Sequence, residues 1–227
     1  MKYTRNTSRL PPAQRALGIA IGVLALAGAP ASSMAAIVCS SPSLPVPANQ
    51  DGTYLNLQTG GTSNSEAGTP GWDINLYASG VPTLLLYFYW PTIPADNAGG
   101  VSTGTVYNVL NSGDTIGPTQ TYSTVSGGPV PYANWHSGQT GKYLGLRFYN
   151  ENTLALNYGW IQLDTGAGSG FPATVNQYCY DDTGAAIAAG ALPAPTPRPA
   201  PVPTLSAWSM ALLGMGLAAL AGLRRKR

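Results

Sequence analysis

Between Ile37 and Ala191 the chain shows no convincing 3.6-residue periodicity; short runs of β-branched and aromatic residues are instead set off by Gly, Pro, Asn and Asp. Aromatic residues number 21 (13 Tyr, 5 Trp and 3 Phe), too many for a disordered chain. Only 9% of residues are charged, too few for the helices of a coiled coil or bundle. These observations predict an all-β domain, a β-sandwich of jelly-roll-like kind.

In chain order, Thr53–Gln58 and Trp72–Tyr77 alternate, and the second puts Trp72, Ile74 and Leu76 on one face and Asp73, Asn75 and Tyr77 on the other. Thr83–Trp90 is apolar throughout, which predicts a central strand covered on both faces. Thr105–Leu110, Gln120–Thr124, Lys142–Tyr149, Thr153–Asp164 and Ala173–Tyr180 follow as further strands. A domain over residues 36–191 is long enough to bury roughly 70% of its unfolded surface and so to fold alone.

The flanks have another character. Residues 1–15 carry four bases and no acid, Ala16–Ala29 are apolar, and small residues continue to Ala36. That order predicts a secretory signal peptide over residues 1–35, cut after Ala35 with Ala36 as the nearby alternative, and hence the Sec export machinery as a partner. A retained N-terminal anchor is the rival, but the apolar run is short for spanning. Residues 192–203 place proline at every second position from Pro193 to Pro203, an extended polyproline linker of about 37 Å. Leu205–Leu223 is nearly uncharged and would span about 28 Å as a helix, close to the hydrocarbon thickness. Arg224, Arg225, Lys226 and Arg227 then hold that end in the cytoplasm by the positive-inside rule. This predicts a transmembrane helix in the inner membrane with the β domain outside it.

Cys39 and Cys179 are the only cysteines, and export would take both to an oxidising compartment. They flank the predicted strands, so a domain with neighbouring termini would join them in a disulfide. Val38 before Cys39 argues against a lipoprotein cysteine.

Residues 202–209 read Val202-Pro203-Thr204-Leu205-Ser206-Ala207-Trp208-Ser209, ahead of the apolar run and the basic end. This resembles the IPTL-CTERM sorting signal of Gram-negative surface proteins, with Val202 in place of Ile and Ser209 in place of Gly. Residues 204–227 would then be a sorting signal. The resemblance implies an exosortase as partner, a cut near the motif and only a transient stay in the inner membrane; a permanent tail anchor is the alternative. A second block, Tyr143-Leu144-Gly145-Leu146-Arg147-Phe148, then Tyr158-Gly159-Trp160-Ile161-Gln162-Leu163, then Tyr178-Cys179-Tyr180, looks like one common in exosortase-substrate surface proteins. It implies a shared sandwich core rather than an activity. Read physically, Leu144, Leu146 and Phe148 fill one face, Arg147 points away toward an acid such as Asp164, and Gly159 suits a bulge.

Charge excludes one class of partner. Residues 36–203 hold nine acids against Lys142, Arg147 and Arg198, a net of −6, which repels nucleic acid. Chemistry is sparse. Gly100-Val101-Ser102-Thr103-Gly104 matches the nucleophile elbow in letters, but a strand rather than a helix is expected after it. His136 is the only histidine, which excludes a multi-histidine metal site, and it reads as an exposed loop residue. Glu66 and Glu151 are isolated; only a remote carboxyl pair such as Asp73 with Glu151 leaves room for glycosidase chemistry. Asp181 and Asp182 are too few for a Ca²⁺ site and read as a polar turn. No catalytic residue, metal or cofactor is predicted. Tyr132 and Trp135, in Gly- and Pro-rich surroundings, form the candidate ligand face for glycan or matrix. The expectation is thus a non-enzymatic exported protein of the cell surface or extracellular matrix, structural or adhesive, with polysaccharide as a candidate partner. The alternative is a polysaccharide-active enzyme or a lectin-like module.

Overall fold

The computed structural model describes residues 36–79, 83–92, 97–195 and Met215. The signal peptide, most of the Pro-rich linker and the sorting signal, including Val202, Pro203, Thr204, Leu205, Trp208 and Arg224 to Arg227, lie outside the described residues. No helix among the described residues is long and apolar enough to cross a membrane.

Among the described residues the domain is mostly β, with one short α-helix and two 3-10 turns. The first half holds β1 (Ile37–Ser40), β2 (Leu44–Val46), β3 (Thr53–Leu55), β4 (Thr62–Ser63), β5 (Ile74–Ser79), β6 (Leu85–Tyr89) and β7 (Gly99–Thr103). Short β8 (Val106–Tyr107), β9 (Thr115–Ile116) and β10 (Tyr122–Ser123) lead to α1 (Ala133–His136). The long strands β11 (Ser137–Asn150), β12 (Ala155–Ala167) and β13 (Gly170–Asp181) follow, and β14 (Ile187–Ala188) closes the set. An eight-stranded sheet runs β1-β13-β12-β11-β7-β10, with β2 on β13 and β8 on β7; a four-stranded sheet runs β4-β3-β5-β6; β14 pairs with β9. Every strand pair is antiparallel.

The three long strands lie side by side in chain order. They form an antiparallel meander. Alternation along it serves two cores. Leu144, Leu146, Phe148, Ile161 and Leu163 pack with Leu55, Ile74, Leu76, Leu86 and Phe88 of the smaller sheet, while Trp160 and Cys179 face the opposite way, toward Val101, Ile116 and Ile187. The grouping of Leu144, Leu146 and Phe148 on one face is as expected. In β13 the parity changes: Val175 and Tyr178 face the same core although they are three apart. The cause is a register shift, with Gln162 opposite Gln177 but Leu163 opposite Val175, so Asn176 is the extra residue of a bulge.

Several expectations need correction. Thr83–Trp90 contains β6, which ends its sheet rather than lying centrally. Its free edge is covered instead: Leu86 N donates to Ser169 O (2.8 Å), and His136 Nε2 lies 2.8 Å from Leu86 O. His136 is therefore a half-buried edge cover with its proton on Nε2, not an exposed loop residue. Arg147 meets no acid among the described residues. Its Nε donates to Ala98 O (3.3 Å), its guanidinium lies 4.9 Å from the Tyr122 ring centroid, and Asp164 Oδ1 accepts from Gly141 N (2.6 Å). Gly159 sits in regular register opposite Leu146 and Tyr180, not at a bulge. What demands glycine there is space, since a Cβ would lie 2.7 Å from Cys179 O.

Candidate functional site

Tyr132 and Trp135 cannot form a ligand face, because both rings are 0% exposed. Residues 130–132 form a short 3-10 turn that leads into α1, and together they push the rings between the sheets. Tyr132 stacks on Tyr87 at 4.3 Å and its hydroxyl donates to Val125 O (2.8 Å); Trp135 meets Phe88 edge-on at 5.9 Å. Burial, with the neighbouring phenols Tyr107 and Tyr77, pushes the Tyr132 hydroxyl well above its ordinary range.

The structure pairs Cys39 and Cys179 in a disulfide between directly opposed residues of β1 and β13, Cα atoms 4.1 Å apart. It closes a chain separation of 140 residues, where the chain-entropy account places about 4–5 kcal/mol of stabilisation. Beside it, Asp182 N donates to Ala36 O and Ala36 N to Asp182 Oδ1 (both 3.1 Å). Asp181 Oδ1 accepts from Thr183 N (2.9 Å), Thr183 Oγ1 (2.5 Å) and Ala185 N (3.1 Å), which is the work of a polar turn. Ser102 lies within β7, and a turn and strand follow it rather than the helix an elbow requires.

The concave feature with chemistry lies elsewhere. A cleft of ≈ 370 Å³ is lined by Glu66, Asp73 and Glu151, by Trp72, Tyr89 and Tyr149, and by Pro70, Gly71, Pro91, Thr92, Asn97 and Ala98. The ends of β6 and β11, the approach to β5, the approach to β7 and the 3-10 turn Glu66–Gly68 supply these residues. Local hydrogen bonds fix the floor. Asn56 Nδ2 donates to Pro70 O (3.0 Å) and Gly71 O (2.7 Å), while its Oδ1 accepts from Gln58 N and Thr59 N (both 2.9 Å). Gly71 has φ +66, and a Cβ there would stand 3.1 Å from Glu151 Oε1. A glycine thus accommodates both the left-handed turn and the approach of the carboxylate. Glu151 itself is exposed and accepts from Gln58 Nε2.

Trp72 is 7% exposed, stacks on Tyr89 at 5.4 Å and receives Tyr54 edge-on at 4.9 Å, so the wall is rigid. Asp73 is 2% exposed; its Oδ2 accepts from Leu57 N (2.7 Å), which leaves Oδ1 for a group in the cleft. Burial pushes this carboxyl well above the ordinary carboxylate range; the Leu57 N–H opposes that, and the Glu151 charge adds to it. A carboxyl whose charged form burial disfavours thus shares a cleft with an exposed one. Among the described residues, no group of three or more His, Cys, Asp or Glu is placed to hold a metal ion.

The remote pair Asp73 and Glu151, legible as letters, is therefore brought to one cleft. Trp72, Tyr89 and Tyr149 were not singled out as site residues; the alternation that put Trp72 on the core face gave no sign that its neighbour would open onto a cavity.

Comparison with known proteins adds one match. The family model for the IPTL-CTERM motif matches residues 200–227, so the chain carries this C-terminal sorting signal. An IPTL-CTERM signal implies an exported protein that an exosortase sorts, associated with the cell surface. No curated protein and no solved structure matches the chain.

Proposed function

We propose that the β domain is a structural or adhesive module of the cell envelope or extracellular matrix, and that the cleft at Asp73 and Glu151 is its contact site. Sec-dependent export would deliver it and the inner membrane would hold the precursor. Exosortase cleavage would then release the domain on its proline linker, and it acts by binding rather than turnover. The observation that supports this reading is that three aromatic side chains and three carboxyl groups line one cleft of small-ligand size. The test is retention in the matrix of the producing cells: Glu151→Arg, an exposed change, is expected to release the protein while leaving its thermal midpoint unaltered. Equal retention would remove the cleft from this role.

One observation favours a second reading, a polysaccharide-active enzyme. Asp73 and Glu151 share one cleft, the first with its proton affinity raised by burial and the second exposed, which suits a general acid and a base or nucleophile. New reducing ends from a polysaccharide incubated with the protein, lost in Glu151→Gln, would establish it; their absence across a polysaccharide panel would leave binding.

A further inference from the structure

The carboxyl groups of Glu66, Asp73 and Glu151 line a cleft whose described walls hold no lysine, arginine or histidine. Glu66 and Glu151 are exposed, so solvent tempers their charge. Asp73 is different: 2% exposed, bonded through Oδ2 alone, with no partner for Oδ1 among the described residues. Asp73 lines the cleft, so Oδ1 is open to a hydrogen-bonding ligand there. The exposed carboxylates Glu66 and Glu151 only accept, so they suit donors, cationic donors most of all, while Asp73, whose charged form burial disfavours, suits a ligand oxygen. Trp72, Tyr89 and Tyr149 line the same cleft, and aromatic rings are compatible with a cation through their quadrupole.

Shape selects among cationic ligands. Trp72 and Tyr89 are stacked with 23° between their planes, and Pro70 and Pro91 line the cleft with them, giving a stiff, largely apolar surface. Such a surface matches the face of a pyranose ring. The volume of ≈ 370 Å³ lies near the lower end for small-ligand clefts, more a pocket for a ring or two than a groove for an extended peptide. Metal coordination is not the fit, because no three such ligands stand close enough together among the described residues.

We propose that this cleft binds a saccharide carrying free amino groups, with its ammonium groups at the exposed Glu66 and Glu151, a sugar oxygen at Asp73 and the ring beside the aromatic and proline lining. The inference rests on the binding reading above and names its ligand class. Titration calorimetry is run on the protein recovered from its producing cells, with short oligomers of glucosamine, of N-acetylglucosamine and of glucose, and with oligolysine. The glucosamine oligomer should bind, and N-acetylation should weaken it about tenfold or more, as should the double change Glu66→Gln with Glu151→Gln. Both carboxylates are exposed, so that variant should keep its thermal midpoint, and added salt should weaken the wild-type complex. Equal affinity for all three sugars would overturn the amine requirement and leave saccharide binding standing. Oligolysine binding as tightly as the amino sugar would overturn the saccharide assignment. No binding to any of the four would overturn the inference, while matrix retention sensitive to Glu151→Arg would still uphold the broader adhesive reading. Cleavage of any oligomer would replace binding with turnover and overturn both.

Discussion

A carboxyl group as buried as Asp73 gives up its charge more cheaply than the fold gives up its packing. Its proton affinity is raised in the folded protein, so its contribution to stability is fully present below the ordinary carboxylate range and is lost as pH rises through the raised value. The nearby Glu151 charge acts in the same direction. Asp73→Asn keeps an acceptor for Leu57 N and removes the titration. Urea midpoints should therefore show the wild type losing ground to Asp73→Asn as pH rises from acid to neutral; parallel profiles would mean that the carboxyl is not held neutral. Tyr132 and Trp135 make the opposite point. Their Gly- and Pro-rich setting reads as a surface loop, yet a 3-10 turn and one turn of helix carry both rings inward, a tertiary outcome that composition does not encode. Trp135→Ala is expected to cost about 3–5 kcal/mol, seen as a lowered urea midpoint. An unchanged midpoint would contradict the burial.

At the scale of elements, period-two patterning announced the strands well and their ends poorly. Each of the eight expected runs contains a strand, because β-branched and aromatic stretches bounded by turn residues have few other ways to bury their rings. Thr53–Gln58 keeps only Thr53–Leu55 as strand, since Leu57 N turns to Asp73 instead of a neighbouring strand. The rejected catalytic motif Gly100–Gly104 falls largely on β7, Gly99–Thr103, whose two glycines suit close packing against Tyr107 and Ser123. The bulge at Asn176 left no trace in the letters, because both Val175 and Tyr178 are plausible core residues whichever register holds. Gly159 tests the close pairing of β12 and β13: Gly159→Ala should cost about 1–3 kcal/mol in urea unfolding, because the Cβ meets backbone rather than a movable side chain. An unaltered midpoint would show that the strands can part freely.

For the whole molecule, delivery was more legible than recognition. The sorting signal is linear: its proline, tryptophan, apolar run and basic end stand in order along the chain, and the motif is found at residues 200–227. The cleft is assembled from residues as far apart as Glu66 and Glu151, which only the folded sheets bring together. The disulfide falls between these cases, since two cysteines in one exported chain have a single intramolecular pairing, while its place opposite Trp160 on β12 depends on register. The account as a whole holds that an exported, disulfide-clipped domain is freed from its sorting segment. Intact-mass spectrometry of the protein recovered from its producing cells, with and without reduction, tests this most directly. The predicted species begins near Ala36, ends near residues 203–205 and gains the mass of two hydrogen atoms on reduction. A species that retains Arg227, or whose mass reduction leaves unchanged, would contradict it.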